Sequence, residues 1–298
     1  MTAGARVLET VRRNAPLGLR VFDVAAAAAW ADGLEIDVVG RGSRTRALAN
    51  RSGIYCAFGI PGLNGFELGG AADAAAWAGA LRRYRIEVRD PAGRFLPFAF
   101  PADLPAKGLF NWLAPWMSPP QPLVLPTEHG SPPAAMASQV PLFSSSARTF
   151  PGTLAQIRAQ LREFGTDRPA AWCLLTASID GLVRGLGLAD GEGRVAVLFP
   201  YPEPPKPVLT SPPSPINDFR WDAELAAYYL PRPVGLPAPS IPDLADVLAQ
   251  LAAPCLLLQS TASPPEPLVA QPLEYRVPLT VRTATPDGPS SYLFVNPA

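Results

Sequence analysis

Residues 84–100 read YRIEVRDPAGRFLPFAF, and this stretch decides the fold class. Tyr84, Ile86 and Val88 alternate with Arg85, Glu87 and Arg89, the period of a half-buried strand. Pro91-Ala92-Gly93 is turn chemistry, and Arg94–Phe100 returns as an aromatic run, so the whole predicts a β-hairpin. Pro97 has no amide hydrogen for a central ladder, which puts the return strand at a sheet edge.

The same signals recur on either side. Segments 19–25 and 34–39 alternate apolar and polar residues, and Ile54–Phe58 is a strand-type run bounded by Asn50-Arg51-Ser52-Gly53 and Pro61-Gly62. The alanine-rich residues 71–82 fit a short helix or a packed loop. Ala171–Leu175 is strand-like, and Gly181–Leu188 and Arg194–Phe199 predict two strands joined by the Asp190-Gly191 turn. Residues 275–281 and 291–295 predict closing strands around Pro286-Asp287-Gly288. Two helices are expected. Over 153–164 (TLAQIRAQLREF) Thr153 can cap, Leu154, Ile157, Leu161 and Phe164 share a stripe, and Gly165 can stop the helix. Over 243–252, Leu244, Val247, Leu248 and Leu251 point inward.

Composition supports an all-β reading. The chain has 298 residues with 38 prolines, only 17% charged residues and 48% hydrophobic ones. Proline ends helices, which excludes bundles and coiled coils. The apolar content excludes a disordered polymer. Prolines gather at 105–140 and 200–216, which read as extended straps. The expected organisation is two small antiparallel β-sandwiches in tandem, an N-terminal one at 1–104 and a second at 151–298 containing helix 153–164, with a Pro-rich strap at 105–150. A weak internal repeat fits this: Asn50–Phe58 resembles Asp190–Phe199, and Tyr84-Arg85-Ile86 resembles Tyr275-Arg276-Val277. Within the strap Phe110, Trp112, Trp116 and Met117 sit among prolines. They either pin the strap to its own domain or form an interface for a partner.

Several function classes are disfavoured. Lys+Arg and Asp+Glu number 25 each, and no basic run offers the footprint of a nucleic-acid binder. No stretch reaches the length of a membrane span. Arg12-Arg13 precedes an apolar segment broken by Arg20 and Asp23, so no export signal is read and cytoplasmic synthesis is expected. Cys56, Cys173 and Cys255 have apolar neighbours and read as buried free thiols, and Asn50-Arg51-Ser52 reads as a chance glycosylation match. The single histidine, His129, builds no metal cluster and reads as a loop residue. Gly185-Leu186-Gly187 and Gly191-Glu192-Gly193 read as turn glycines rather than a phosphate cradle. Asp180, Asp190 and Glu192 read as hairpin turn residues rather than a Ca²⁺ loop. No catalytic residue, cofactor or metal is expected.

Ser52-Gly53-Ile54-Tyr55 leading to Pro61-Gly62-Leu63 resembles the transthyretin-like or carboxypeptidase-regulatory-like β-sandwich family, as does Val183-Arg184-Gly185 through Gly193-Arg194-Val195. Gly93–Pro97 with Pro101 to Leu109, Leu142–Ser145 to Arg148, and Gly193-Arg194 to Phe199-Pro200-Tyr201-Pro202 resemble proteins found with phage-tail-like contractile injection systems. The resemblance implies a non-enzymatic structural component of such a particle, at baseplate, sheath or cap, with other protein subunits as partners. The competing expectation is a carbohydrate or cell-surface binding module, in which Trp112, Trp116 or Trp221 would stack on sugar rings.

Overall fold

The computed structural model describes residues 13–30, 32–69, 77, 79–113, 139–149, 153–203, 219–233 and 235–297. The fold is all-β. Its first half holds β1 (Leu17–Leu19), β2 (Val21–Asp23), β3 (Ala28–Trp30), β4 (Glu35–Gly40), β5 (Ser43–Ala49), β6 (Tyr55–Ala57), β7 (Arg82–Arg89), β8 (Phe98–Leu104) and β9 (Val140–Leu142). One four-residue helix, α1, spans Asn64–Glu67. Six of these strands make a sheet in the order β1-β6-β5-β4-β7-β8, and β3-β2-β9 form a small second sheet.

The hairpin at 84–100 is present as β7 and β8, paired from Arg82↔Leu104 to Val88↔Phe98. β8 is an edge strand, as expected, although Pro97 itself lies just before its start. Tyr84, Ile86 and Val88 face the core with Phe98 and Phe100, while the intervening charged residues face out. Both edges of this sheet are covered, which removes templates for aggregation. Residues 106–110 run beside β1, with the Phe110 amide donating to Gly18 O at 2.7 Å. At the other edge the Ala99 amide donates to Pro242 O at 2.9 Å.

The second half forms a sheet from β10 (Leu154–Glu163), β11 (Leu174–Ile179), β12 (Leu182–Leu188), β13 (Arg194–Pro200), β14 (Arg220–Tyr228), β15 (Pro254–Ser260), β16 (Glu266–Pro267), β17 (Gln271–Glu274), β18 (Leu279–Thr280), β19 (Ala284–Thr285), β20 (Gly288–Pro289) and β21 (Leu293–Asn296). Its main path is β12-β11-β14-β15-β21-β10-β13. β12 and β13 follow each other in the chain yet stand at opposite ends of that path, so the turn at 189–193 brings the two ends of the sheet together. They are not the hairpin that the Asp190-Gly191 reading implied. The two-residue Asp-Gly hairpin lies earlier: Asp180 and Gly181 both have positive φ and join β11 to β12, with Ile179 opposite Leu182.

The glycines of β12 explain the closure. A Cβ on Gly187 would lie 2.6 Å from Ala196 O, and one on Gly185 would lie 2.7 Å from the Phe199 ring. Gly185 and Gly187 are therefore strand glycines that admit β13 at close range, not turn glycines.

The helix expected at 153–164 does not form. Residues 154–163 are β10, paired with β13 from Leu154↔Pro200 to Gln160↔Arg194. Ala155, Ile157, Ala159, Leu161 and Glu163 face inward and the residues between them are half-buried. The strand wins because every second residue is apolar or buried, while a helix would bury only four side chains of the twelve. The helix near 243–252 is present as α2 (Leu244–Ala249), capped by Asp243, whose Oδ1 accepts from the Ala245 amide at 2.8 Å, and continued by a 3₁₀ turn at Gln250–Ala252.

Two cores result. Ile157, Leu161, Leu175, Ala177, Val195, Val197, Phe199, Leu257, Leu293 and Val295 fill the curled second sheet. The first core, built on Leu17, Ile36, Ile86, Phe98, Phe100 and Phe143, also takes in Trp172, Leu174, Leu186, Leu188, Leu244, Val247 and Leu248 from the second half. Strands β11 to β13 are thus buried on both faces, with Ala196 and Leu198 packed on Ala25. This accounts for their unbroken apolar runs. Each fully buried large side chain contributes roughly 1.5–3 kcal/mol, so the halves are joined by substantial apolar burial.

Candidate functional site

An open apolar groove lies over the outer face of β6 and β1, and Leu48 of the neighbouring β5 stands exposed beside it. Leu48 stands opposite Cys56, and Cys56 opposite Gly18. Gly18 in turn bridges to Leu109. Because β-strand side chains alternate, these four positions share the outward face while Ala47, Tyr55, Leu17 and Leu19 fill the core. Leu48 is 71% exposed and Leu109 43%. The hollow beside them has a volume of about 560 Å³, with Gly18, Ile54, Cys56 and Phe66 in its walls and Arg13 and Lys107 among the lining residues. Burial pushes the Cys56 thiol up, so this sulfur behaves as an apolar group rather than a nucleophile. The arrangement can hold an apolar side chain of another polypeptide; it places no acid–base pair.

A second cleft of about 560 Å³ lies where α2 meets the two sheets, lined among others by Arg85, Trp172, Arg232, Asp243, Asp246 and Gln250. Trp172 has φ 64° and its buried indole N–H has no acceptor among the described residues. Gln250 is fully engaged, donating to Trp172 O at 2.8 Å and Val247 O at 3.2 Å and accepting from the Leu230 amide at 3.0 Å. Burial raises the Asp243 carboxyl, Asp246 adds to the effect, and Arg85 opposes it. Among the described residues the cleft wall holds no serine, threonine, cysteine or histidine. Its two carboxylates stand where a helix start needs them, one as the cap and one in the first turn.

The expected interface residues divide. Phe110 stacks on Phe100 at 5.6 Å and Trp112 is buried in the first core, so these two pin the start of the strap to its own domain. Trp116, Met117 and His129 lie outside the described residues. Trp221 is buried beside Tyr201 at 5.4 Å, so neither it nor Trp112 presents a face to a sugar. Cys56, Cys173 and Cys255 are free thiols, but only Cys173 is buried; Cys56 and Cys255 are half-buried. Asp190 and Glu192 lie in a turn, where the Asp190 carboxylate accepts from the amides of Glu192 and Arg194, each at 2.9 Å. Among the described residues no group of three potential metal ligands exists, and no helix is long and apolar enough to cross a membrane.

Leu48, Ile54 and Leu109 are the residues that the sequence reading missed. Residues 43–49 (SRTRALA) carry too few apolar side chains to signal a strand by themselves; in β5 Leu48 follows Arg44 and Arg46 on the outward phase, where a leucine is out of place. No family model, curated protein or solved structure matches the chain.

Proposed function

We propose that the chain is a non-enzymatic assembly component that acts by docking on other protein subunits, in a particle of the phage-tail-like contractile injection type. The observation that carries the docking reading is the groove over Gly18, with Leu109 exposed in its wall and Leu48 exposed beside it on the same sheet face. An exposed apolar row of this kind on a rigid sheet is what a partner's apolar side chain buries. The particle type rests on the resemblance of Gly93–Pro97, Leu142–Arg148 and Gly193–Pro202. The carbohydrate-binding alternative loses two of its three stacking candidates to the core.

The test is incorporation. Particles purified from a producing strain should contain the wild-type chain and lack the Leu48→Glu and Leu109→Glu variants, whose melting temperatures should stay near wild type because both sites are solvent-facing. Normal incorporation of both variants overturns the docking role of the groove. Replacing residues 114–138 with a Gly/Ser segment of equal length tests the strap separately and leaves Phe110, Trp112 and β9 in place.

A further inference from the structure

We infer that a recess at the open end of the six-stranded sheet binds an oxyanion of the phosphate class, carried by a small ligand or a headgroup. Three segments enclose about 400 Å³ there: the β4–β5 turn with Arg41 and Ser43, the loop at Pro61-Gly62, and the start of β7 with Arg82, Arg83 and Tyr84. The Tyr84 hydroxyl donates to Pro61 O at 2.8 Å, which ties the loop to β7. Gly62 has φ +85°, and a Cβ built on it would run into Arg82 Nη1. The guanidinium therefore sits close against the Gly62 backbone, in a loop whose positive φ favours glycine.

The charge count in this recess differs from that of the rest of the sheet. Arg44 pairs with Asp37 and Glu87, Arg46 with Asp37 and Glu35, and Arg85 and Arg89 with Glu87. Arg83 holds Asp103 in a fork at 3.0 and 2.8 Å. Among the described residues Arg41 and Arg82 make no ion pair or side-chain hydrogen bond, and no carboxylate lines the recess. Three guanidiniums less one paired carboxylate leave an excess of two positive charges beside a serine hydroxyl. A phosphate monoester carries about −1.5 to −2 at neutral pH and three acceptor oxygens. Planar guanidinium forks suit those oxygens better than point charges do. An anion seated between Arg41 and Arg82 relieves their mutual repulsion as well.

Titration of the ¹⁵N-labelled chain with inorganic phosphate at constant ionic strength tests the site. The expected result is saturable shifts confined to residues 40–43, 61–62 and 82–84, absent with chloride. Arg82→Gln and Arg41→Ala should each weaken binding about tenfold or more, and Arg82→Lys should restore it only in part. Arg51→Ala, an exposed arginine outside the recess, should leave binding unchanged. Phosphoserine and vesicles of phosphatidylcholine with phosphatidic acid, run in parallel, distinguish a soluble phosphate from a headgroup. No saturable response to any of these, or equal loss with Arg51→Ala, overturns the proposal. All the variants are surface substitutions, and circular dichroism confirms that each is folded. Because the recess is separate from the groove over Gly18, its failure leaves the docking reading untouched.

Discussion

Arg148 reaches across 125 positions of sequence to grip Asp23, with Nη1 at 3.0 Å from Oδ1 and Nη2 at 2.5 Å from Oδ2. Both side chains are buried. The guanidinium lies 4.3 Å from the Phe95 ring centroid and 5.5 Å from that of Trp30, and Ser144 Oγ accepts from Nη1 at 2.8 Å. This pair fastens the end of the 105–150 segment to β2. Arg148→Met strands a buried carboxylate and should cost about 3–5 kcal/mol. Urea unfolding measures it. Asp23→Asn/Arg148→Met should recover part of the loss, since the amide needs no counter-charge and still accepts from the Ala25 amide.

Two glycines in matching turns should respond differently to alanine. Gly93 and Gly193 have φ +67° and +76°. Each donates its amide to the carbonyl of the Asp three residues earlier, Asp90 or Asp190. A Cβ on Gly93 meets open space, whereas one on Gly193 runs into Leu161 O, which belongs to backbone. Gly93→Ala should cost about 1–2 kcal/mol for the left-handed conformation alone. Gly193→Ala should cost clearly more, because the Leu161 amide is also bonded to Gly193 O at 2.7 Å. Equal losses on chemical denaturation would show that the β10 backbone yields freely.

Asp243 should be a liability at neutral pH. Burial raises its carboxyl, so the folded state holds the proton more tightly than the unfolded chain does. The stability gained from the neutral form is complete below the unfolded value of about 3.9 and is lost as pH rises through the folded value. Asn keeps the oxygen that caps the Ala245 amide. Asp243→Asn should therefore melt higher than wild type at neutral pH, with the gap closing toward acid; a lower melting temperature throughout would refute this.

Glu163 should act in the opposite sense. Burial alone would raise its carboxyl, but bonds from Thr166, Tyr229 and Arg168 outweigh that and hold it below the ordinary range. Tyr229 Oη lies 2.7 Å from Oε1, and Arg168 Nη2 lies 2.7 Å from Oε2. The stability it lends is present above the unfolded value of about 4.3 and is lost as pH falls through its lower folded value. Glu163→Gln should lower the urea midpoint at neutral pH and flatten the acid limb of midpoint against pH.

Much of the fold was legible because it is written in local chemistry. The turns at 50–54, 90–94 and 190–194 share one design: an Asx side chain accepts from the amides two and four residues on, and a glycine three residues on has positive φ. The apparent repeat between Asn50–Phe58 and Asp190–Phe199 includes this turn, of which 90–94 is a further copy. β10 was misread because its inward alanines, Ala155 and Ala159, are weak markers next to Leu154, Ile157, Leu161 and Phe164, which also fit a helical stripe. The alternation of Gln156, Arg158, Gln160 and Arg162 with apolar residues was the signal for a strand. The groove and the recess were illegible for another reason. Leu48 and Leu109 come onto one sheet face, and Arg41 and Arg82 into one recess, only after distant segments pair, and spacing along a chain carries no trace of that.

The placement of α2 has a consequence for synthesis on the ribosome. The first core has most of its residues once position 143 has emerged, but Leu244, Val247 and Leu248 close it. At about 5–20 residues per second, the nascent N-terminal half waits several seconds with β8 uncovered and a greasy flank exposed. During that interval the flank is open to aggregation, and a product truncated before residue 244 should keep it exposed.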